Sequence, residues 1–410
     1  MECKFLGRPH AGQPNQVPNI IQVACGANHT IILVDPTAGP YASTTRELWG
    51  CGDGRKGQLG RLAESATGLS SFTRLDLELL HSPDLHDFRV EAVAASWETS
   101  YVALSYPGRS DVLLSLGADD YGDLGIGGKG KSPATAPDTV HVVDLATAAG
   151  ATEECKLSIR SLSSGPHHIL VHLTISEIDG STRECTLGWG TSRHGQLGAH
   201  RDPASGKPLP FLSSPVRLVL PDEEQAVTAS ALGTHHSILL HPSGRLTALG
   251  SDRKGQLDGA DALEGVSAVG CTWNGTYAVQ HDGPTWSVVS IGNHNKGQLG
   301  RPIHVKHGGP HGHPMAVHFP FSHDTHSLVK MACGSEHILC LFTRTDGNEE
   351  DASQAEVWAW GWNEHGNLGL RHTQDQDVPV KIWPPSQGDS RQAVDVWAGY
   401  GTSWILVEGP

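Results

Sequence analysis

Apolar residues along this chain come in short bursts rather than in long stripes. Runs such as His29-Thr30-Ile31-Ile32-Leu33-Val34 and His337-Ile338-Leu339-Cys340-Leu341 are rich in β-branched and bulky side chains and are bounded by Gly, Asn and Asp. Those are the marks of strands and turns. No apolar period of 3.6 residues is sustained, so helices are expected to be minor.

The bursts belong to two alternating elements. The first ends in a glycine-rich signature: Gly57-Gln58-Leu59-Gly60, Gly195-Gln196-Leu197-Gly198 and Gly297-Gln298-Leu299-Gly300 are identical. Asp123-Leu124-Gly125, Gln256-Leu257-Asp258 and Asn367-Leu368-Gly369 close looser copies, and a strand-like run precedes each, as in Leu48-Trp49-Gly50-Cys51-Gly52. The second element reads VACGANHTIIL from Val23, LSSGPHHILV from Leu162, SALGTHHSILL from Ser230 and MACGSEHILCL from Met331. Looser versions start at Ala94, Val269 and Trp397, giving seven copies of the second element against six of the first. A worn seventh copy of the first is read at Phe5-Leu6-Gly7 through Gln13.

Copies of the first element lie roughly 40 to 75 residues apart, a spacing that signals a solenoid or propeller. Four strands per unit and seven units predict an all-β, seven-bladed β-propeller. One domain is expected over 1–410, its ring closed by N- and C-terminal strands. The glycines are expected to supply positive φ in turns, Leu59 and its counterparts to plug space between blades, and Gln58 and its counterparts to bond backbone groups that the turn leaves unpaired. Polar insertions at about 61–88, 127–154, 201–224, 301–326 and 343–355 are expected to be loops, where repeat proteins place binding surfaces.

Composition narrows the function classes. With 18% charged and 38% hydrophobic residues among 410, the chain is globular. A net charge of −15 argues against broad binding to a phosphate backbone and sits badly with chromatin binding. The eight cysteines form no CxxC pair and read as small apolar residues of a reducing compartment. The start, MECKFLGRPHAGQPN, has no apolar signal-peptide core, no run reaches the length of a membrane span, and a soluble protein of cytoplasm and nucleus is expected.

The alternation of G-x-x-x-x-G-Q-L-G with G-x-x-H-T resembles the regulator-of-chromosome-condensation repeat over essentially the whole chain. SWETSYVAL, LGADDYGDLG and LGWGTSRHGQLG resemble the fungal alpha-tubulin suppressor, or killer-toxin-insensitivity, branch. That resemblance implies a non-enzymatic partner of a small CSL-type zinc-finger protein, itself without cofactor or metal. The pair would support Elongator-dependent modification of wobble uridine in tRNA and diphthamide synthesis. The alternative from the wider family is guanine-nucleotide exchange on a small Ran-like GTPase, which would need a wedge that no insertion supplies in recognisable form.

Other motifs carry less. Gly125-Ile126-Gly127-Gly128-Lys129-Gly130-Lys131-Ser132 fits a phosphate-loop pattern, but Gly125 already belongs to the repeat and Pro133 and Pro137 follow, a poor helix start. Gly50-Cys51-Gly52-Asp53-Gly54 is one copy of the repeat turn. His29, His168, His236 and His337 recur at one repeat position and read as buried residues bonding backbone carbonyls, since no nucleophile or carboxylate recurs beside them. The cluster His304, His307, His311, His313, His318, His323 and His326 lacks cysteine and contains Gly308-Gly309-Pro310, so it reads as an insertion rather than a zinc site.

The partner site is expected where the repeat histidine is lost. There an aromatic follows the glycine position, as Trp97, Trp273 and Tyr400, residue types that dominate interface hot spots. Glu98 and Asn274 would add polar rim contacts.

Overall fold

The computed structural model describes residues 19–35, 46–60, 68–128, 139–221, 225–283, 285–302, 313–345, 355–385 and 391–409. Its regular structure is almost wholly antiparallel strand. Six sheets are blades: I (19–74), II (89–142), III (156–217), V (266–316) and VI (326–383) have four strands, and IV (229–250) has three.

The expected seventh blade is absent among the described residues. The last copy of the second element makes only a two-stranded hairpin, Gln392–Ala398 with Ser403–Glu408. The reason lies in how the elements divide the labour. The second element makes the first two strands of a blade and the turn between them, whereas the first element makes the third strand and the turn beyond it. Only six copies of the second element are followed by a first element, hence six blades; the worn copy at Phe5–Gln13 lies outside the described residues.

The stretches read as loops are partly strand. Leu69–Arg74, His141–Val142, Phe211–Arg217 and Met315–Ala316 are the outer strands of blades I, II, III and V, and Leu145–Ala149 is a short helix capped by Asp144. Their polar character follows from the outer strand's exposure.

The chain divides into two compact units, one of 1–192 with 209–225 and one of 193–208 with 226–410. Blades I to III belong to the first, blades IV to VI and the hairpin to the second. Within each unit, neighbouring sheets enclose a shared core. Ile31, Leu33, Val93, Val102 and Leu114 fill the space between blades I and II, and Ile169, Val171, Leu113 and Trp189 that between II and III. In the second unit Tyr277, Phe342 and Trp360 do the same between V and VI. The second strands of blades I and II, His29–Asp35 and Thr99–Ser105, are almost entirely buried, whereas their counterpart in the hairpin, Ser403–Glu408, is half-exposed.

The glycine signature is structural. Gly57 and Gly60 take φ of 84° and 68°, a region L side chains rarely occupy. Leu59 and Leu368 are buried in inter-sheet clusters. Gln58, Gln196, Gln256 and Gln298 each accept through Oε1 the backbone N–H two residues earlier, at 2.7 to 3.0 Å. The turn thereby satisfies its own orphan donor.

Candidate functional site

Every blade presents the turn between its first and second strands beside the turn that follows its third. In all six blades the latter is bonded to the former through one recurring contact. The amides of Asp53, Ala118, Thr191, Ser251, Asn293 and Trp362 donate to the carbonyls of Asn28, Glu98, His167, His235, Asn274 and Glu336, at 2.7 to 2.9 Å.

The carbonyl of the glutamine position needs a donor, and the blades supply one in two ways. In the first, a hydroxyl of the following blade donates: Ser100 Oγ to Gln58 (2.7 Å), Ser237 Oγ to Gln196 (2.8 Å) and Thr276 Oγ1 to Gln256 (2.7 Å). The repeat histidine stands behind it, His29 Nε2 at 2.9 Å from Ser100 Oγ and His236 Nε2 at 3.2 Å from Thr276 Oγ1. His337 Nε2 lies 3.1 Å from Ser403 Oγ. Since each hydroxyl has a single proton and gives it to the carbonyl, His29 and His236 must donate through Nε2. These histidines were expected to bond carbonyls directly; they act one step removed, through the neighbouring hydroxyl. Burial lowers His29, His236 and His337 to about 4, so all three stay neutral at pH 7.

In the second way, a tyrosine and a tryptophan share the carbonyl. Tyr101 Oη (2.7 Å) and Trp189 Nε1 (2.8 Å) donate to Asp123, and Tyr277 Oη and Trp360 Nε1 (both 2.8 Å) to Gln298. These are blades II and V, where the repeat histidine is replaced by Thr99 and Gly275. The substitution frees the turn. Beside a histidine the turn must begin with glycine: a Cβ at Gly26 or Gly233 would lie 2.1 Å from the imidazole Cε1. In blades II and V that residue is Ser96 or Thr272, buried where the ring would have been.

The next residue of those turns is Trp97 or Trp273, half-exposed rather than filling the vacated space. Backbone bonds stitch these turns together within each unit. In the first, Ala27 N–H donates to Trp97 and Trp97 N–H to Pro166, both at 2.9 Å. In the second, Thr234 N–H donates to Trp273 (3.0 Å), Trp273 N–H to Ser335 (2.7 Å) and Ser335 N–H to Gly399 (3.2 Å).

Of the five expected site residues, three meet in the second unit. The rings of Trp273 and Tyr400 have centroids 6.3 Å apart, tilted by 40°. Between their turns sits Glu336, half-buried, accepting from Asn274 Nδ2 (3.4 Å) and from Gln298 Nε2. Burial raises its carboxyl above the usual range despite those donors. Trp362 packs edge-on against His365, with centroids 4.8 Å apart. Trp97 and Glu98 belong to the first unit, where Trp97 lies 5.8 Å from the ring of His167. His167 also meets Tyr121 at 4.6 Å and approaches Asp123 Oδ1 at 3.3 Å. Sequence reading missed Glu336 and His167, although both occupy the turn position of Glu98 and Asn274; reading that column across all blades would have found them.

No group of three or more His, Cys, Asp or Glu able to hold a metal occurs among the described residues. Of the histidine-rich stretch, His304, His307 and His311 lie outside them. His326 is buried, stacked on Phe321 at 3.8 Å and 3.4 Å from Glu356. The phosphate-loop pattern falls partly outside the described residues, and its Gly125 closes a repeat turn through a 3.1 Å bond to Gly122.

The family model for the regulator of chromosome condensation (RCC1) repeat matches residues 287–341 and 354–406. The chain is similar to the ultraviolet-B receptor UVR8 of Arabidopsis thaliana, 25% identical over 94% of this chain and 76% of the receptor. It is 24% identical to a secretion-regulating guanine nucleotide exchange factor of Mus musculus, over 91% of this chain and 75% of that protein. The crystal structure of human WBSCR16 matches with a TM-score of 0.66 at 20% identity, covering 97% of this chain and 89% of the other. The structure is all-β and built of propeller-type blades, and its residues 287–341 and 354–406 match that repeat.

Proposed function

We propose that the protein is a non-catalytic interaction module whose partner is a small CSL-type zinc-finger protein, the two acting together in cytoplasm and nucleus. In this reading the pair supports Elongator-dependent wobble-uridine modification and diphthamide synthesis, and the propeller covers or positions the partner's metal site without holding metal itself. The identity of the partner rests on the resemblance of SWETSYVAL, LGADDYGDLG and LGWGTSRHGQLG to the branch that has such partners. The observation that carries the interaction reading is the half-exposed aromatic pair Trp273–Tyr400 around the half-buried Glu336. Large amphipathic rings beside a satisfied polar group are what interface anchors are made of. Trp97 and Glu98 form the corresponding contact surface of the first unit.

The test is size-exclusion chromatography of the protein with the CSL-type partner. A stable one-to-one complex supports the reading, and separate elution of the two overturns it. Guanine-nucleotide exchange is the second reading, favoured by similarity to the exchange factor over most of both chains. It requires accelerated release of bound GDP from a Ran-like GTPase on adding this protein, and an unchanged release rate excludes it.

A further inference from the structure

Next to Trp273 the turn belt of the second unit changes sign. His194 and His235 pack with ring centroids 4.3 Å apart at 45°. The segment bearing Arg193 and His194 is held by the bond of Ser237 Oγ to the Gln196 carbonyl and by that of His194 N–H to Gln196 Oε1, at 2.8 and 3.0 Å. His235 is fixed from the other side: its carbonyl accepts from Ser251 N–H at 2.9 Å, which sets the following turn with Arg253 and Lys254 beside it. Arg193, His235, Arg253 and Lys254 are exposed and His194 is half-buried.

Among the described residues this patch carries more cations than carboxylates. Lys296, Lys330 and Lys381 of the same unit pair with Glu364, Asp395 and Glu356. Among the described residues Arg193, Arg253 and Lys254 form no ion pair, and the nearby Asp252, which accepts from the Leu257 amide at 2.8 Å through Oδ1, offsets one of their three charges. Burial first, then Arg253 and Arg193, hold His194 below the ordinary imidazole range; burial, then His194 and Arg253, do so for His235. A net positive cluster in a chain of net charge −15 is a steering device for an anion.

We propose that Arg193, His194, His235, Arg253 and Lys254 recognise a carboxylate-rich segment of a protein partner. The proposal rests on the interaction reading above and names the partner's chemistry at that surface. Two guanidiniums and an ammonium supply charge, and the neutral imidazoles supply N–H donors to carboxylate oxygens. The bond from Thr234 N–H to the Trp273 carbonyl joins the turn of His235 to that of Trp273, so an acidic segment held by the patch reaches the aromatic pair.

The probe is a fluorescein-labelled octaglutamate peptide, followed by anisotropy at low and at physiological salt. The proposal predicts salt-sensitive binding that Arg193→Glu with Arg253→Glu weakens at least tenfold. Lys56→Glu with Arg74→Glu, on the first unit, leaves it within twofold. No binding by the unaltered protein, or equal loss in both double variants, overturns the proposal. Inorganic phosphate displacing the peptide at equal charge concentration overturns the choice of a protein segment, as does tighter binding of a labelled oligouridylate. Failure of the partner reading is distinct: peptide binding persists while the CSL-type protein does not co-elute. A CSL complex indifferent to Arg193→Glu with Arg253→Glu removes the patch and leaves the partner.

Discussion

Blades IV and V solve one problem in different ways, and the difference accounts for the candidate site. Both must satisfy a buried turn carbonyl. Blade IV uses His236 behind Thr276, which binds the Gln256 carbonyl; blade V uses Tyr277 and Trp360 on the Gln298 carbonyl. The histidine solution forces glycine at the start of the turn, because the imidazole lies against its Cα. The tyrosine–tryptophan solution leaves that position to Thr272 and the next to Trp273, facing solvent in part. The first arrangement satisfies the carbonyl without presenting an aromatic ring, whereas the second combines a satisfied carbonyl with an aromatic surface.

The largest break is expected at Gly233→Ala. Its Cβ would stand 2.1 Å from His236 Cε1, with cost on the order of 4 kcal/mol in urea unfolding. Adding His236→Gly, which copies the blade V pair of Thr272 and Gly275, should recover part of that loss, and strict additivity of the two changes would contradict the steric account. His236→Ala alone should cost about 3 kcal/mol through the cavity and the lost hydrogen bond.

Acid should act on the histidine blades next. The folded-state values of about 4 for His29, His236 and His337 lie below the unfolded value near 6.5. Their contribution is therefore complete above pH 6.5 and falls as pH drops toward 4, by roughly 3 kcal/mol per imidazole. Urea midpoints measured across that window should decline with acid, and His236→Ala should flatten the decline. Glu336, whose carboxyl is raised, works in the opposite sense as pH rises through its folded value.

Smaller effects separate the two donors of blade V. Tyr277→Phe should cost about 1 kcal/mol, because Trp360 still serves the Gln298 carbonyl. Combined with Trp360→Phe, the loss should exceed the sum, since the carbonyl is then buried with neither donor. Trp273→Ala should cost least, under about 1 kcal/mol, because the ring is half-exposed and only part of its area is buried.

Much of this was legible in the chain. Strand runs, turn glycines, the buried Leu59 position and the backbone role of Gln58 follow from local chemistry that each copy repeats. The blade count was not, because it depends on which strand pairs with which; the unmatched copy at Trp397–Val407 yields a hairpin rather than a sheet. The outer strands hid in polar stretches such as Leu69–Arg74, whose exposure gives little hydrophobic alternation. In the candidate site the aromatics could be read from their column, and Glu336 stands in the neighbouring one; what the sequence could not show is its bonding to Asn274 and Gln298, which the fold brings from two other turns.

The central claim is that the tyrosine–tryptophan solution of blade V frees Trp273 for the proposed recognition without a role in holding the turn carbonyl. Calorimetric titration of the proposed CSL-type partner into Trp273→Ala with Tyr400→Ala tests it directly, with the urea midpoint of the same variant alongside. The account predicts at least a thirtyfold loss of affinity, about 2 kcal/mol, in a protein whose midpoint barely moves. Unchanged affinity, or a loss that only accompanies unfolding, would contradict it.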